Sequence, residues 1–239
     1  MNGRTFVPVP AWSGELERTE MSLKGIIFDL DGVICSTDEY HYKAWKQLAD
    51  GLGMPFDREV NNLLRGVSRM DSLEIILKHG HAEQRYSSAE KEILVDQKNE
   101  IYKRSLQNMT PESMMPYVPE TLDELRKKNL LLGIGSSSKN TPMILEKIGM
   151  GQYFDAVCDG NQITHSKPNP EVFEKAAQML KLKPEEAIVV EDAVPGAEAG
   201  HRAGMKVICV GDAASKGAGD WNIDDFRKIP DIADGLMKS

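Results

Sequence analysis

Four short polar clusters in this chain of 239 residues carry the residue types of phosphoryl transfer. The first is Asp29-Leu30-Asp31-Gly32, two carboxylates two positions apart in a turn. The second is Ser136-Ser137-Ser138-Lys139-Asn140, the third Lys167 ahead of Pro168, and the fourth the pair Glu191-Asp192. Carboxylates gathered at one point repel each other unless a cation neutralises them, and hard oxygen ligands suit Mg²⁺. Such a metal accepts a phosphate oxygen and offsets the charge of an attacking carboxylate. An aspartate can act as nucleophile through a covalent aspartyl phosphate, while a lysine and a serine hydroxyl balance charge on the transferring group. Each cluster alone has a plainer reading. Asp29 and Asp31 would suit a solvated turn, Glu191-Asp192 would complement a helix N-terminus, and Lys167 would serve as a surface charge. What carries weight is all four at equivalent places in the chain.

Those places follow from the hydrophobic pattern. Lys24 to Asp29, with Ile26-Ile27-Phe28 at its centre, reads as a short buried strand running into the first cluster. Leu130 to Gly135 is a strand running into the second, and Phe154 to Cys158 one ahead of the loop with Lys167. Ala187 to Val190 ends at Glu191, and Met205 to Val210 is a further strand. Helices are expected at Pro119–Lys128, from Asn140 to about Ile148, at Asn169–Leu180 and at Pro195–Ala203, several with proline in the first turn. The alternation implies an α/β fold, a doubly wound and mostly parallel sheet covered on both faces. Ligands bind beyond the carboxyl ends of such strands, where all four clusters fall. Between Asp38 and about Leu106 strand signals vanish, and apolar residues recur at helical spacing, as in Tyr40, Ala44, Leu48 and Leu52. The expected organisation is a tail over 1–20, a Rossmann-like core from 21–36 and 108–239, and an inserted α-helical cap domain over 37–107. The stretch after Asp212 carries no readable signal.

Composition is that of an ordinary globular protein, 41% hydrophobic and 28% charged. A net charge of −8 argues against nucleic acid and against an acidic membrane surface. Cys35, Cys158 and Cys209 stand far apart without a CxxC, which speaks against a disulfide framework or zinc site and for a reducing cytoplasm. Apolar runs are strand-sized, short of the ~20 residues of a spanning helix. Met1 to Glu20 lacks the basic start and apolar run of a secretory signal. A loose tail is expected there, with Met21 a second candidate start; docking through Phe6, Val7 and Trp12 is the alternative. A small-molecule partner and a monomeric chain are the default expectations.

Asp29-Leu30-Asp31-Gly32-Val33 after an apolar strand, then Ser136, Lys167-Pro168 and Glu191-Asp192 in that order, resemble the four motifs of the haloacid dehalogenase superfamily over Met21 to about Val210. Within it, Ser36-Thr37-Asp38-Glu39-Tyr40-His41, Ala44-Trp45, Arg65-Gly66-Val67-Ser68-Arg69 and Gln97-Lys98-Asn99 resemble the β-phosphoglucomutase branch. That resemblance implies a Mg²⁺-dependent isomerase interconverting β-glucose 1-phosphate and glucose 6-phosphate through an aspartyl phosphate and β-glucose 1,6-bisphosphate. By it, Asp29 is the nucleophile and Asp31 the general acid and base. The metal set is Asp29, the Asp31 carbonyl and Asp192, with Glu191 counted beside them. Ser136, the Ser137 amide and Lys167 grip the transferring phosphate, and Arg69 with Ser138, Lys139 and Asn140 holds the second one. Gly66, Val67 and Ser68 line the sugar, and Thr37, His41 and Lys98 couple cap closure to the placement of Asp31.

The chain departs from that pattern at Cys35-Ser36, at Ala193 where a serine is expected, and at Ser137 where a smaller residue is expected. His41 also reads as a packing histidine, Lys98 as part of a solvated helix face, and Arg69 as a helix-start charge. The rival function is a small sugar-phosphate phosphatase on the same catalytic core, with a non-catalytic phosphosugar sensor as a third class. Only the cap and distal-phosphate residues separate the first two.

Overall fold

The computed structural model describes residues 23–64 and 67–237, so the tail expected over 1–20 lies outside the described residues. Six strands form one parallel sheet: β1 (Gly25–Phe28), β2 (Leu131–Gly135), β3 (Ala156–Cys158), β4 (Ala187–Glu191), β5 (Lys206–Cys209) and β6 (Trp221–Asn222). Their spatial order is β3-β2-β1-β4-β5-β6, so the winding reverses between β1 and β4. The crevice beyond the carboxyl ends at such a reversal is where doubly wound sheets take their ligands.

After β1 comes a block of helices, α1 (Asp38–Leu52), α2 (Arg58–Asn62), α3 (Arg69–His79) and α4 (Ser88–Leu106). The core adds α5 (Val118–Lys127), α6 (Thr141–Lys147), α7 (Glu171–Leu180), α8 (Val194–Arg202), α9 (Gly211–Ser215) and α10 (Ile229–Met237). Successive strand residues point to opposite faces. Ile26, Phe28, Leu132, Ile134, Ile188 and Val190 therefore pack with α5, α6 and α10, while Ile27, Val189 and Val207 pack with α7 and α8. Both faces are buried, and the strands read as unbroken apolar runs for that reason.

The helical block has its own core of Trp45, Leu48, Val60, Leu73, Ile76, Leu77, Leu94 and Val95. Its helices start at polar caps: Asp57 for α2, Ser68 for α3, and a Ser87–Glu90 capping box for α4. The chain leaves the core and returns to it at neighbouring points. Ser36 N–H donates to the Ser113 carbonyl at 3.2 Å, Met115 N–H donates to the Ile34 carbonyl at 2.9 Å, and Cys35 bridges to Met114. The block thus hangs from the core by two adjacent lengths of chain.

Strands and core helices fall within a residue or two of their expected positions. β3 begins at Ala156 rather than Phe154, because the Asp155 side chain is occupied by Arg126 and by the Leu132 N–H. β6, α10 and the end of α9 lie in the stretch whose sequence carried no signal. β6 is two residues long, too short for a periodicity, and α10 buries only Ile229, Pro230 and Ala233.

Gly135 closes β2 against Phe173, and a Cβ there would overlap the Phe173 ring. That ring lies 4.6 Å from Lys167 Nζ. Gly135→Ala should therefore destabilise the fold by about 1–3 kcal/mol through overpacking and move Lys167 as well. Denaturant unfolding compared with phosphate affinity checks both expectations.

Candidate active site

Asp29 follows β1 directly, with its N–H donated to the Val190 carbonyl of β4 at 2.9 Å. The chain then turns sharply, Ile34 and Cys35 N–H both donating to the Leu30 carbonyl. Gly32 sits in this turn at φ 83°, which favours glycine. A Cβ at Gly32 would also collide with the Asp192 carboxylate. The turn and the end of β4 are thereby pressed together, and Asp29, Asp31 and Asp192 border one cleft.

Lys167 Nζ donates to Asp29 Oδ1 and, at 2.6 Å, to Glu191 Oε1. Glu191 Oε2 accepts the N–H groups of Asp192 at 2.8 Å and Ala193 at 2.9 Å. Both Glu191 oxygens are committed, and the carboxylate rests against Gly196, where a Cβ would displace it. Glu191, expected beside the metal ligands, thus holds Lys167 and the start of α8 while bordering the same cleft as Asp29 and Asp192. Asp29 Oδ2 and the Asp192 carboxylate, in contrast, accept no hydrogen bond from a described residue.

Burial raises the Asp29 carboxyl well above its usual range, against the pull of Lys167, and Glu191, Asp192 and Asp31 add to the rise. Asp192 is pushed up to about 7 by burial and then by Glu191. Burial alone would lower the Lys167 ammonium, but Asp29 and Glu191 outweigh it and hold its pKa above the ordinary lysine value. One lysine faces four carboxylates, an excess of negative charge that a cation relieves. The open donors are all oxygens, Asp29, Asp192 and backbone carbonyl, which fits a hard divalent ion such as Mg²⁺. Among the described residues no group of three or more His, Cys, Asp or Glu converges as a cage.

The loop from β2 into α6 forms the next wall. Ser136 is buried, its N–H held by the Cys158 carbonyl. Ser138 N–H donates to Ser136 Oγ at 3.2 Å, and Asn140 N–H to Ser138 Oγ at 3.2 Å. With a lone pair of each hydroxyl engaged, its proton stays available for an anion. Ser137 Oγ is buried and finds no partner among the described residues. Lys139 and Asn140 line the same cleft.

The helical block supplies the opposite wall. Thr37 Oγ1 donates to Asp31 Oδ1. Burial pushes Asp31 up to about 6, and the Thr37 bond pulls it back. Lys98 is only 2% exposed, so the reading of it as part of a solvated face is excluded. Its Nζ lies over the rings of Trp45 and Tyr102 at 4.9 and 4.7 Å and donates to His41 Nδ1 at 2.8 Å. Burial, then Arg69, brings Lys98 down to about 7. His41, its ring centre 4.1 Å from that of Tyr102, is driven well below its ordinary value by burial, Lys98 and Arg69. The imidazole is therefore neutral, accepting at Nδ1 and protonated at Nε2.

Arg69 borders the cleft at the start of α3, and its guanidinium makes no hydrogen bond or ion pair with a described residue. Val67 and Ser68 border it too, but the Ser68 hydroxyl is occupied in capping α3, accepting from Asp71 N–H and donating to Asp71 Oδ2. Gly66 lies outside the described residues. The cleft measures about 770 Å³, and apart from Gly66 every residue singled out from the sequence borders it. Tyr102, Ser72 and Asn61 border it as well and were not singled out. Tyr102 stands four residues after Lys98, a helical spacing that would have placed both on one face.

The model of the haloacid dehalogenase-like hydrolase family matches residues 26–210. The chain belongs to this family. Among the family's proteins, it is 42% identical over 189 residues to the beta-phosphoglucomutase of Bacillus subtilis, covering 79% of this chain and 84% of that one. The phosphorylated carbohydrates phosphatase of Thermotoga maritima is 26% identical, with 78% and 84% covered. Among solved structures, beta-phosphoglucomutase from Clostridium difficile superposes with a TM-score of 0.83 at 31% identity, over 90% of this chain and 97% of that one.

For phosphoryl transfer in which Asp31 takes up a proton, the rate should fall as pH drops through about 6, where its carboxylate protonates. The Thr37 bond stabilises the charged form, so Thr37→Val should raise the Asp31 pKa and move this acidic limb to higher pH. A hydrogen bond worth ~1 kcal/mol corresponds to about 0.7 pH unit. A pH–rate profile of both proteins checks the direction; a limb moved downward would contradict it.

Proposed function

We propose that this protein is a mutase interconverting β-D-glucose 1-phosphate and D-glucose 6-phosphate through an aspartyl phosphate on Asp29 and β-glucose 1,6-bisphosphate. The observation that carries the reading is the pairing of two anion grips in one cleft. Lys167 and Ser136 border the cleft with Asp29, and the Arg69 fork, without a hydrogen-bond partner among the described residues, enters from the helical block. A phosphatase needs one grip. An enzyme whose intermediate bears two phosphates, presented in turn to the same nucleophile, needs two.

The Asp29 carboxylate, oriented by Lys167, attacks phosphorus through one oxygen as the bond to the sugar oxygen breaks. Asp31 donates a proton to the departing oxygen and, in the reverse step, takes it from the attacking hydroxyl. A group poised at about 6 exchanges its proton readily near neutral pH. Lys167, Ser136 and the Ser137 amide hold the transferring group. Arg69, Ser138, Lys139 and Asn140 hold the other phosphate, the guanidinium fork matching its oxygens. Thr37, His41 and Lys98 set Asp31 and the wall that faces it. Mg²⁺ on Asp29, Asp192 and the Asp31 carbonyl would neutralise the carboxylates and polarise the phosphate. Among the described residues no helix is long and apolar enough to cross a membrane. The cysteines are free and buried, which suits the reducing cytoplasm we propose for it.

The test supplies Mg²⁺, β-glucose 1-phosphate and a trace of β-glucose 1,6-bisphosphate, and measures glucose 6-phosphate and inorganic phosphate together, with the α-anomer as control. Glucose 6-phosphate should dominate, from the β-anomer alone. Dominant inorganic phosphate would make the protein a phosphatase. Arg69→Ala should lower use of the bisphosphate by about 10–100-fold, the loss of a charged hydrogen-bond pair, and spare hydrolysis of a small acyl phosphate. Equal loss on both substrates would remove Arg69 from the distal grip.

A further inference from the structure

The helical block and the core face each other across the cleft. Among the described residues, Gln107 Nε2 donates to Met143 Sδ at 3.8 Å where α4 ends, and across the cleft itself Asn140 Nδ2 donates to Asn99 Oδ1 at 3.1 Å. Each amide is fixed on its own side. Asn140 is 6% exposed; its N–H is held by Ser138 Oγ, and its carbonyl accepts the Ile144 N–H. Asn99 sits on α4 directly after the buried Lys98 that bonds His41. The bond therefore joins the loop that carries the second phosphate grip to the helix that faces Asp31. An Asn amide nitrogen has two N–H groups. One goes to Asn99, and the other remains for a phosphate oxygen.

We propose that Asn99 is a positioning residue: through Asn140 it latches the helical block over Asp29 and keeps water from the phosphorylated carboxylate. The proposal rests on the mutase reading above. Because one amide serves latch and phosphate together, occupancy of the distal grip and closure reinforce each other. Without the latch, a water oxygen bonds to phosphorus and gives its proton to Asp31 as the bond to Asp29 breaks and Asp29 leaves as a carboxylate. Inorganic phosphate then leaves in place of transfer to the sugar.

Two readouts test this, one of them independent of activity. Ile93 on α4 and Met179 on α7 are 57% and 45% exposed, while all three native cysteines are buried. Spin labels on Ile93→Cys and Met179→Cys therefore report the separation of block and core selectively. With Asn99 present, the unliganded protein should show one compact population. Asn99→Ala should move roughly 2–10-fold more of it to longer distances, the effect of losing one ordinary hydrogen bond. Asn99→Asp, which retains an acceptor, should restore the compact population. In turnover, the ratio of inorganic phosphate to glucose 6-phosphate should rise by a similar factor in Asn99→Ala. Alanine favours the helix, and an unchanged melting temperature shows that the fold is intact. An identical distance distribution in Asn99 and Asn99→Ala proteins overturns the latch, whatever the activity. Failure of the unaltered protein to form glucose 6-phosphate overturns the mutase reading instead, and leaves the distance measurement to decide the latch by itself.

Discussion

Lys167 is shared between Asp29 and Glu191, and that sharing lets four carboxylates crowd the point where the sheet reverses its winding. Buried like charges repel strongly at low effective dielectric. The structure answers by giving each carboxylate a different fate. Glu191 is tied down by two backbone N–H groups and the lysine. Asp29 keeps one oxygen open, Asp192 keeps its carboxylate free, and Asp31 is held by Thr37. Parallel pairing of β1 with β4, Phe28 opposite Val190, makes the arrangement unavoidable, since it sets Asp29 beside Glu191. The apolar strands, the glycine at position 32 and the ring of Phe173 under Lys167 all serve that convergence.

The helical block answers a different requirement. A carboxylate that becomes phosphorylated is as open to water as to a sugar hydroxyl unless the site is closed around it. The block brings a wall of its own, with Lys98 buried between aromatic rings and bonded to a neutral His41. Most of its buried residues form a hydrophobic core of their own, while Ala44, Tyr102 and Leu106 pack into the cluster on one face of the sheet, and the block joins the core through two adjacent lengths of chain.

Much of this was legible in the sequence, for physical reasons that differ by element. The central strands are buried on both faces, so their apolar runs stood out, and the polar residues that follow them marked the carboxyl ends. Helices of the core announced themselves by proline in the first turn, as at Pro119 and Pro195. Partnerships were less visible. Glu191 and Asp192 look equivalent as neighbours in sequence, and only the geometry of the β4–α8 turn divides them into an anchor and an open donor. The commitment of the Ser68 hydroxyl to Asp71 required knowing where α3 begins. Tyr102 and Asn99 lie among charged residues on α4, where one turn of helix separates a solvated face from a cleft wall. β6 was illegible because two residues leave no period, whereas α10 carries a helical pattern, Ile229, Ile232, Ala233 and Leu236, that the sequence reading passed over.

The central claim is that Asp29 carries the phosphoryl group between two positions of one sugar. Its most direct test is to quench the working enzyme, reduce any acyl phosphate with borohydride, and locate the modified residue by mass spectrometry. Reduction should convert the Asp29 side chain to an alcohol in the peptide spanning the end of β1, after exposure to β-glucose 1,6-bisphosphate and not without it. Unmodified Asp29 in a protein that is still turning over, or modification at Asp31 or Asp192 instead, would contradict the assignment of the nucleophile and the mechanism built on it.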